Sequence, residues 1–390
     1  MPPFCKYLTN QHRYEYDDFS PCCWITRKCN INNAGDLTQY KEWVATITDW
    51  VPECSFCKDR EERNIRSPRL MSFSNPNWGE LENSSDIVSL ELQLDKDCNS
   101  ACLICRPKYS TTWQKYNNKI HNIKITNAQI DKHDMRAADA RIKLITNTVA
   151  FDKIKKIAFL GGEPLKSNTH LTIIKEVKKV KELTDVNLTY ITNGSIKPSN
   201  EVIDVWSTCN KVNVNVSMDG IGEHFNYLRW PLQWHQVINN IRYMLDLKLP
   251  NFSMSFSYAV TPFSIFYHNT YENWAREFFK ENDNIVQRPF GNPFEAVGTI
   301  NLQCIPPSLV EEIIVKYQNI DTFTKNGASL TKGQNISQLI LPFDSDAYTT
   351  FMNYVTLHDT HRNLNWRKVF PEIEHHFTES GKNATLSYSS

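Results

Sequence analysis

Three cysteines stand close together near one quarter of the way along the chain, at Cys98, Cys102 and Cys105. Their spacing is C-x3-C-x2-C, and they directly follow an apolar, strand-like run. Three thiolates on one tight loop can hold three irons of a [4Fe–4S] cube and leave the fourth iron without a protein ligand. An open iron can bind and cleave a small molecule, whereas a fully ligated cluster mostly transfers electrons. The spacing therefore predicts an iron–sulfur enzyme.

Simple packing and a zinc ion both fit this loop less well. Cysteine often serves as a small buried hydrophobe, but packing alone does not call for three within eight residues. A structural zinc ion usually takes four ligands, in pairs spaced C-x2-4-C. The loop supplies three, and the closest candidate for a fourth, Cys57, already has a partner in Cys54. The spacing favours an iron–sulfur cluster.

The composition is that of a globular protein with balanced charge. The chain has 390 residues, 41% hydrophobic and 22% charged, which suggests two or three domains or one large α/β domain with appendages. Lysine plus arginine and aspartate plus glutamate each total 43, so charge makes no case for nucleic acid or an anionic membrane as main partner. With no membrane-spanning run and no signal-peptide pattern, we expect a cytoplasmic location. In that reducing compartment the eleven cysteines indicate metal rather than disulfides.

From about residue 85 the sequence alternates between strand and helix patterns. Strands are predicted over 87–94, 156–160, 186–192, 212–217, 253–260 and, weakly, 284–288, with helices over 108–119, 127–149, 171–183, 202–206, 236–247 and 271–280. This alternation predicts parallel β/α units that curve into a partial (β/α)6 barrel resembling a TIM barrel. Each unusual turn follows a strand, at the end where such barrels place their chemistry.

The same patterns divide the chain into four regions. Residues 1–80 hold six of the eleven cysteines and form a small N-terminal module with one helical segment over 35–51. The barrel covers 85–295, a helical C-terminal region covers 300–378, with amphipathic stretches at 311–317 and 347–357, and 379–390 is predicted to be a flexible tail. A module as small as the first buries little core, so a metal site would stabilise it.

The cysteine loop followed by Gly161-Gly162-Glu163-Pro164 resembles the radical S-adenosylmethionine (SAM) superfamily. The likeness is closer still to its twitch-domain members, which carry a small cysteine-bearing module before the barrel. Ile104 departs from the pattern, because many members have an aromatic residue there. Further segments resemble the superfamily only weakly when taken alone, but they occur in the expected order along the chain. They are residues 21–23, 52–57, 61–69 with Ser67 and Arg69, 107–113, 192–194, 217–220 and 226–229.

The resemblance implies a defined chemistry for the central loop. Cys98, Cys102 and Cys105 would ligate the cluster, and its open iron would take the amino nitrogen and carboxylate of SAM. One electron, from a donor such as flavodoxin or ferredoxin, would cleave the sulfonium and release methionine and a 5′-deoxyadenosyl radical. That radical would abstract hydrogen from the substrate, while the protein supplies position and exclusion of water.

The resemblance also assigns cofactor-binding roles to the turn formed by Gly161, Gly162, Glu163 and Pro164. The two glycines would let the backbone approach a ligand closely, and Glu163 would hold the methionine ammonium. An ordinary strand-end turn is the alternative.

Polar residues at later strand ends complete the implied SAM site. Asn193 and Ser217 would hydrogen-bond the carboxylate or ribose, and Asp219 the ribose or the substrate. Arg229 would pair with a carboxylate through two parallel bonds, and residues 260–262 would pack against adenine. Turn formation at these polar positions, and an exposed helix position for Arg229, stay open as alternatives.

The N-terminal cysteines offer a second metal site. Cys54 and Cys57 form a C-x2-C half-site, Cys22 follows a proline at the position that the family uses, and Cys5 begins the module. These four would hold a closed auxiliary [4Fe–4S] cluster. Zinc on the same four is the competing hypothesis, since a C-x2-C pair suits both metals. Alternative ligands are Cys23 and Cys29.

The leading hypothesis is therefore an oxygen-sensitive radical SAM enzyme that acts on a peptide or a small molecule. A second is a non-catalytic iron–sulfur electron carrier or scaffold, which predicts two fully ligated clusters and no SAM binding. RNA modification ranks third, because the balanced charge gives no basic footprint for nucleic acid.

Overall fold

The computed structural model describes residues 4–31, 34–64, 67–73, 86–280, 286–290, 294–295, 298–318 and 341–378. Within these residues the chain forms a nine-stranded sheet. Its strands are β1 Gln11–Glu15, β2 Asp18–Ser20, β3 Cys29–Asn30, β4 Ser89–Gln93, β5 Lys156–Leu160, β6 Asn187–Thr192, β7 Lys211–Ser217, β8 Phe252–Ser257 and β10 Val286–Phe290. A separate parallel pair joins β9 Ala259–Val260 and β11 Phe294–Glu295.

The order of the strands in the sheet is β10-β8-β7-β6-β5-β4-β1-β2-β3. From β4 to β10 all neighbours are parallel. Because the order never reverses along this stretch, successive right-handed crossovers place their helices on one side of the sheet, as in a barrel and unlike a doubly wound sheet. The predicted α/β partial barrel and its six strands are confirmed; residues 284–285 of the weak sixth strand lie outside the described residues.

Fourteen helices are described, and residues 371–378 are also helical. Most predicted helices are present with shifted ends. The helix predicted from 108 starts at Thr111, because the Ser110 hydroxyl accepts a hydrogen bond from Trp113 N and caps it. None of the described helices combines the length and apolar character needed to cross a bilayer. Their bounds are α1 Lys6–Asn10, α2 Ala34–Ala45, α3 Ser55–Glu62, α4 Pro68–Phe73, α5 Thr111–Ile120, α6 Asn127–Thr148, α7 Thr169–Lys178, α8 Asn200–Thr208, α9 Gly222–Leu228, α10 Trp234–Asp246, α11 His268–Lys280, α12 Pro307–Gln318, α13 Ser345–Arg362 and α14 Trp366–Val369.

The two sides of the central sheet differ in character, since alternate residues of a strand face opposite sides. On the helix side lie buried apolar residues such as Val212 and Val214 of β7, which belong to the main hydrophobic core. On the other side β7 and β8 carry polar residues, and Asn213 Nδ2 donates to Ser253 Oγ across these two strands at 3.0 Å. We call this polar side the inner face and define it by Thr189, Asn213, Asn215, Ser217, Ser253, Ser255 and Ser257.

The N-terminal region contributes a strand that the sequence analysis does not predict. Strand β1 pairs in parallel with β4 and extends the sheet beyond the predicted barrel. Arg13 Nε lies 2.6 Å from a Glu91 carboxylate oxygen, so an ion pair links the two strands. The boundary predicted near residue 80 stays a prediction, but this cysteine-rich segment is joined to the barrel sheet by backbone hydrogen bonds.

His170 of α7 supports a prediction about pH. The side chain is 2% exposed and packs between the Phe159 and Tyr190 rings. Burial lowers the pKa of His170 to about 4, so it is neutral in the folded protein, while the unfolded chain takes up a proton below about pH 6.5. The free energy of unfolding is therefore highest with respect to this group above about pH 6.5. It falls as the pH drops towards 4, because only the unfolded chain gains a proton there.

We expect His170→Phe to reduce this acid sensitivity. Between about pH 7.5 and about pH 5, the unfolding free energy of the wild type should fall by on the order of 2 kcal/mol more than that of the variant. Urea unfolding at the two pH values measures the difference. Equal losses in the two proteins would show that His170 does not titrate as a buried neutral group.

Candidate iron–sulfur and SAM site

The cysteine loop follows β4 and is held from both sides by hydrogen bonds. Ala101 N donates to Trp230 O at 2.8 Å, which ties the loop to the segment after α9. Trp113 Nε1 of α5 donates to Cys102 O at 2.9 Å. Both bonds involve the loop's own backbone groups, so contacts within the protein hold its path.

Cys98 and Cys102 are buried and share a neighbour in Ser100, whereas Cys105 is partly exposed. Ser100 Oγ lies 3.2 Å from Cys98 Sγ and 3.4 Å from Cys102 Sγ. Burial, with the neighbouring Cys102, raises the pKa of Cys98 to about 11. Burial and the two neighbouring cysteines also raise the pKa of Cys105. Without a metal Cys98 and Cys105 therefore stay protonated, and a bound cationic centre would replace these protons.

The spacing of the cysteine sulfurs favours a cluster over one zinc ion. Sulfurs on a tetrahedral Zn²⁺ would lie about 3.8 Å apart, given Zn–S bonds of about 2.3 Å. Among the described residues, no three cysteine sulfurs all lie within 4.8 Å of one another. Both cysteine sets are therefore spread more widely than a single zinc ion requires, and three thiolates such as those of the central loop are the donors that a [4Fe–4S] cube takes.

The turn from Gly161 to Pro164 packs directly against the start of the cysteine loop. Gly162 N donates to Asp95 O at 3.1 Å, and Glu163 N donates to Asp97 O at 2.7 Å. A Cβ atom on Gly162 would come within 2.4 Å of Asp97 O, and Gly161 has a φ of +123°. The glycines are thus needed for backbone contact within the protein, a reason that the sequence analysis did not give.

Glu163 is 1% exposed, and its carboxylate is held by three donors. Thr192 Oγ1 donates to Oε1 at 2.6 Å, Asn193 N donates to Oε2 at 2.7 Å, and Leu165 N donates to Oε1 at 3.1 Å. Burial raises the pKa of Glu163, and these hydrogen bonds oppose that rise. The carboxylate therefore fixes the end of β6 against the turn after β5.

Asn193 brings the end of β6 to the cysteine loop. Its Nδ2 lies 4.0 Å from Cys98 Sγ and donates to Asn99 Oδ1 at 3.0 Å. Ser195 N donates to Asn193 Oδ1 at 2.9 Å and fixes the amide orientation. The structure thus places Asn193 next to a predicted cluster ligand.

Asp219 and Arg229 form a buried ion pair beside the same loop. Arg229 Nη2 lies 2.8 Å from Asp219 Oδ2, and Arg229 Nη1 lies 3.9 Å from Cys102 Sγ. Burial opposes the charge, but Asp219 together with the Cys102 and Cys105 sulfurs raises the pKa of Arg229. Arg229 is 6% exposed, so the alternative of an exposed helix arginine is wrong.

Part of the inner face was missed by the sequence analysis. Ser217 was predicted to be a site residue, and its Oγ lies 3.3 Å from Ser257 Oγ. Asn215, two residues earlier, was not singled out, yet its Oδ1 is buried without a hydrogen-bond partner among the described residues. The sequence of β7 alternates valine with Asn213, Asn215 and Ser217. This alternation predicts that the three polar side chains share one side of the strand.

The comparisons with known proteins agree with this site. No family model matches the chain. The curated GTP 3',8-cyclase of Petrotoga mobilis, a radical SAM protein, is 24% identical over 161 residues, which is 41% of this chain and 43% of that protein. This similarity supports the resemblance to the radical SAM superfamily. The chain spans less than half the length of this curated relative.

Solved structures of superfamily members resemble the chain more loosely. Streptococcus suis SuiB bound to S-adenosylmethionine is 12% identical with a TM-score of 0.32, over 84% of this chain and 59% of SuiB. The protein anSMEcpe with bound AdoMet is 16% identical with a TM-score of 0.37, over 59% of this chain and 58% of that one. The fold assignment depends on the strands described above.

The chain also brings the four favoured N-terminal cysteines together. One cavity is lined by all four, along with Trp24 and Trp50, whereas the alternatives Cys23 and Cys29 are not among its lining residues. Burial raises the pKa of Cys22 to about 12 and that of Cys54 to about 11, and nearby cysteine sulfurs add to both rises. The residues that line the cavity include Cys5, Cys22, Cys54 and Cys57.

Arg69 of α4 lines this cavity and contacts several groups around it. Its Nη2 lies 2.5 Å from Glu61 Oε2 of α3, and its Nη1 donates to Phe4 O at 3.2 Å. The guanidinium also lies over the Phe4 and Trp50 rings, at 5.1 and 5.0 Å from their centres. Arg69 therefore fixes the chain next to Cys5.

Helix α13 of the C-terminal region contacts the central cysteine loop. Tyr354 OH donates to Leu103 O at 2.9 Å. Arg362 lies in a cage of three aromatic rings, 5.8, 4.8 and 4.9 Å from the centres of Trp113, Tyr116 and Trp230. Trp113 and Trp230 both bond the cysteine loop. The C-terminal region is therefore packed against the central site.

Proposed function

We propose that this chain is a radical SAM enzyme that cleaves SAM reductively and abstracts hydrogen from a peptide or small-molecule substrate. One observation carries the proposal: three neighbouring strand ends meet at the cysteine loop. Asn193 Nδ2, after β6, lies 4.0 Å from Cys98 Sγ, and Glu163 N, after β5, donates to Asp97 O at 2.7 Å. The cluster ligands and the residues implied to bind SAM therefore share one edge of the sheet, where such barrels carry out chemistry.

The residues of the site have separate roles in this proposal. Cys98, Cys102 and Cys105 hold the [4Fe–4S] cluster. When bound, the cluster and SAM supply a 5′-deoxyadenosyl radical that can abstract hydrogen. Glu163 Oε2 accepts one bond from Asn193 N, and a carboxylate oxygen has a second lone pair with which it can accept from the SAM ammonium.

The inner face is the proposed place for the substrate. Along β7 and β8 it carries small amide and hydroxyl side chains, and the buried Asn215 Oδ1 has no hydrogen-bond partner among the described residues. An unpaired buried acceptor is costly, so a substrate with an N–H or O–H donor would satisfy it. This polar lining supports substrates with many hydrogen-bonding groups, such as a peptide.

The remaining parts of the proposal concern electrons and location. The four cysteines around the N-terminal cavity would hold a closed auxiliary [4Fe–4S] cluster that transfers electrons or shapes the substrate pocket. An electron donor such as flavodoxin or ferredoxin and a cytoplasmic location complete the proposed setting.

The test is SAM cleavage by the reconstituted full chain. After anaerobic iron and sulfide loading and reduction, we expect 5′-deoxyadenosine from SAM, and calorimetry should detect SAM binding. Glu163→Gln should weaken SAM binding about 10- to 100-fold, because a charged hydrogen bond contributes about 1.5–3 kcal/mol. The exposed Glu201→Gln is the matched control and should bind SAM like the wild type. Loaded protein that neither binds nor cleaves SAM would instead support the iron–sulfur carrier.

A further inference from the structure

Three metal-ligating side chains converge in the C-terminal region, apart from the cysteines. Glu312 lies on α12, and His375 and His376 lie on the helix over residues 371–378. One carboxylate oxygen and one nitrogen from each ring all lie within 4.8 Å of one another. We propose that these three side chains bind a divalent transition-metal ion, with Zn²⁺ as the best fit.

The donor set matches zinc chemistry. Two imidazoles and one carboxylate form a three-ligand zinc site that leaves a fourth position for water. His376 Nε2 lies 2.7 Å from Glu312 Oε2, whereas two ligand atoms on a tetrahedral zinc would lie about 3.3 Å apart. An opening of about 0.6 Å would therefore admit the ion between them.

Ser308 supports this site from one turn earlier on α12. Its Oγ lies 2.8 Å from His376 Nδ1. A histidine that binds a metal through one ring nitrogen usually donates its other N–H to an acceptor, which fixes the ring. The Ser308 hydroxyl can accept that N–H when a metal is bound, and it can donate to Nδ1 when Nε2 carries the proton. His376 is therefore held in one orientation in both states.

Burial and charge around the site allow an ion to enter and stay. The His376 side chain is 7% exposed and anchors the site, while Glu312 is 46% exposed and His375 is exposed. Lys316, one turn beyond Glu312, places its ammonium over the Phe266 ring at 3.3 Å from the centre. The ammonium is therefore engaged by the ring, although its charge opposes a cation and Glu312 must offset it.

The proposed ion would join α12 to the C-terminal helix. Each helix supplies at least one ligand, so the ion can bind only while the two helices are packed together. A ligand that binds the folded state alone stabilises it by mass action. This function would be structural and independent of SAM chemistry.

Zinc binding by the full chain tests the proposal. Because free cysteines also bind zinc, the chain is first loaded anaerobically with iron and sulfide, and calorimetry then measures Zn²⁺ binding. We expect one equivalent that His375→Ala or Glu312→Gln weakens at least about 100-fold, and that Ser308→Ala weakens about 10-fold. Since His375 and Glu312 are exposed, these variants should keep the fold.

The matched control is His361→Ala, an exposed histidine on α13, which should bind zinc like the wild type. With Co²⁺ in place of zinc, the spectrum should show visible bands of a nitrogen- and oxygen-bound ion without a sulfur charge-transfer band. If the site variants bind as much Zn²⁺ as the wild type, or if the cobalt spectrum shows sulfur ligation, the proposal is wrong. A melting temperature that rises with Zn²⁺ in the wild type and not in His375→Ala supports it further.

Discussion

Cys102→Ala is expected to lose about four irons per chain and all formation of 5′-deoxyadenosine, while the N-terminal site stays loaded. With one thiolate gone, two sulfurs remain to hold a cube that needs three. The loop itself should keep its path, because it is held by bonds such as Ala101 N to Trp230 O. Iron and sulfide assays give the occupancy, and EPR of the reduced protein with and without SAM identifies which cluster remains.

Cys54→Ala is the contrasting variant, and we expect the opposite result. It should lose the other group of about four irons and keep the EPR change on adding SAM. Cys209→Ala is the matched control, since this buried cysteine bonds Trp206 O far along the chain from both sets, and it should keep all the iron. Full iron occupancy in Cys102→Ala would contradict the assignment of the central loop.

Gly162→Ala is expected to destabilise the fold by about 3 kcal/mol, near the upper range for overpacking, and to reduce iron loading of the central site. The added Cβ would lie 2.4 Å from Asp97 O and 2.5 Å from the Lys96 carbonyl carbon. Both are backbone atoms, so neither can move aside as a flexible side chain would. Urea unfolding of the metal-free chain measures the stability, and iron analysis after reconstitution measures the loading.

Gly222→Ala separates this clash from the cost of an unusual backbone. Gly222 has a φ of +54°, and a Cβ there would meet nothing within 4 Å. The strain of a left-handed backbone alone costs roughly 1–2 kcal/mol, so the variant should be mildly destabilised and load iron normally. If the two variants lose equal stability and load equally, the close approach of Gly162 to the cysteine loop has no special importance.

Local patterns in the sequence were enough to predict the barrel and its central loop. In β7 the alternation of valine with Asn213 and Asn215 identifies a half-buried strand within seven residues. The C-x3-C-x2-C spacing is likewise contained within a single loop. Both signals arise from neighbouring residues, so they need no knowledge of the tertiary structure.

Features that depend on distant residues were not predictable in the same way. Strand β1 carries polar residues such as Arg13 and Glu15, and its place in the sheet comes from pairing with β4, more than 70 residues later. The partner of Arg229 is another case, because the sequence analysis expected a carboxylate without identifying it and the structure supplies Asp219. The convergence of four widely separated cysteines was predicted through the family resemblance, since no local pattern joins Cys5 to Cys57.

Helix α13 gives the chain a reciprocal dependence between its far end and its metal chemistry. Tyr354 bonds the carbonyl of Leu103, and Arg362 is enclosed by rings that flank the cysteine loop. Whatever rigidifies that loop must also favour docking of the helix, and whatever detaches the helix must loosen the grip on iron, because linked equilibria act in both directions. We therefore expect the central loop to hold iron more tightly once the C-terminal helices have been made and packed.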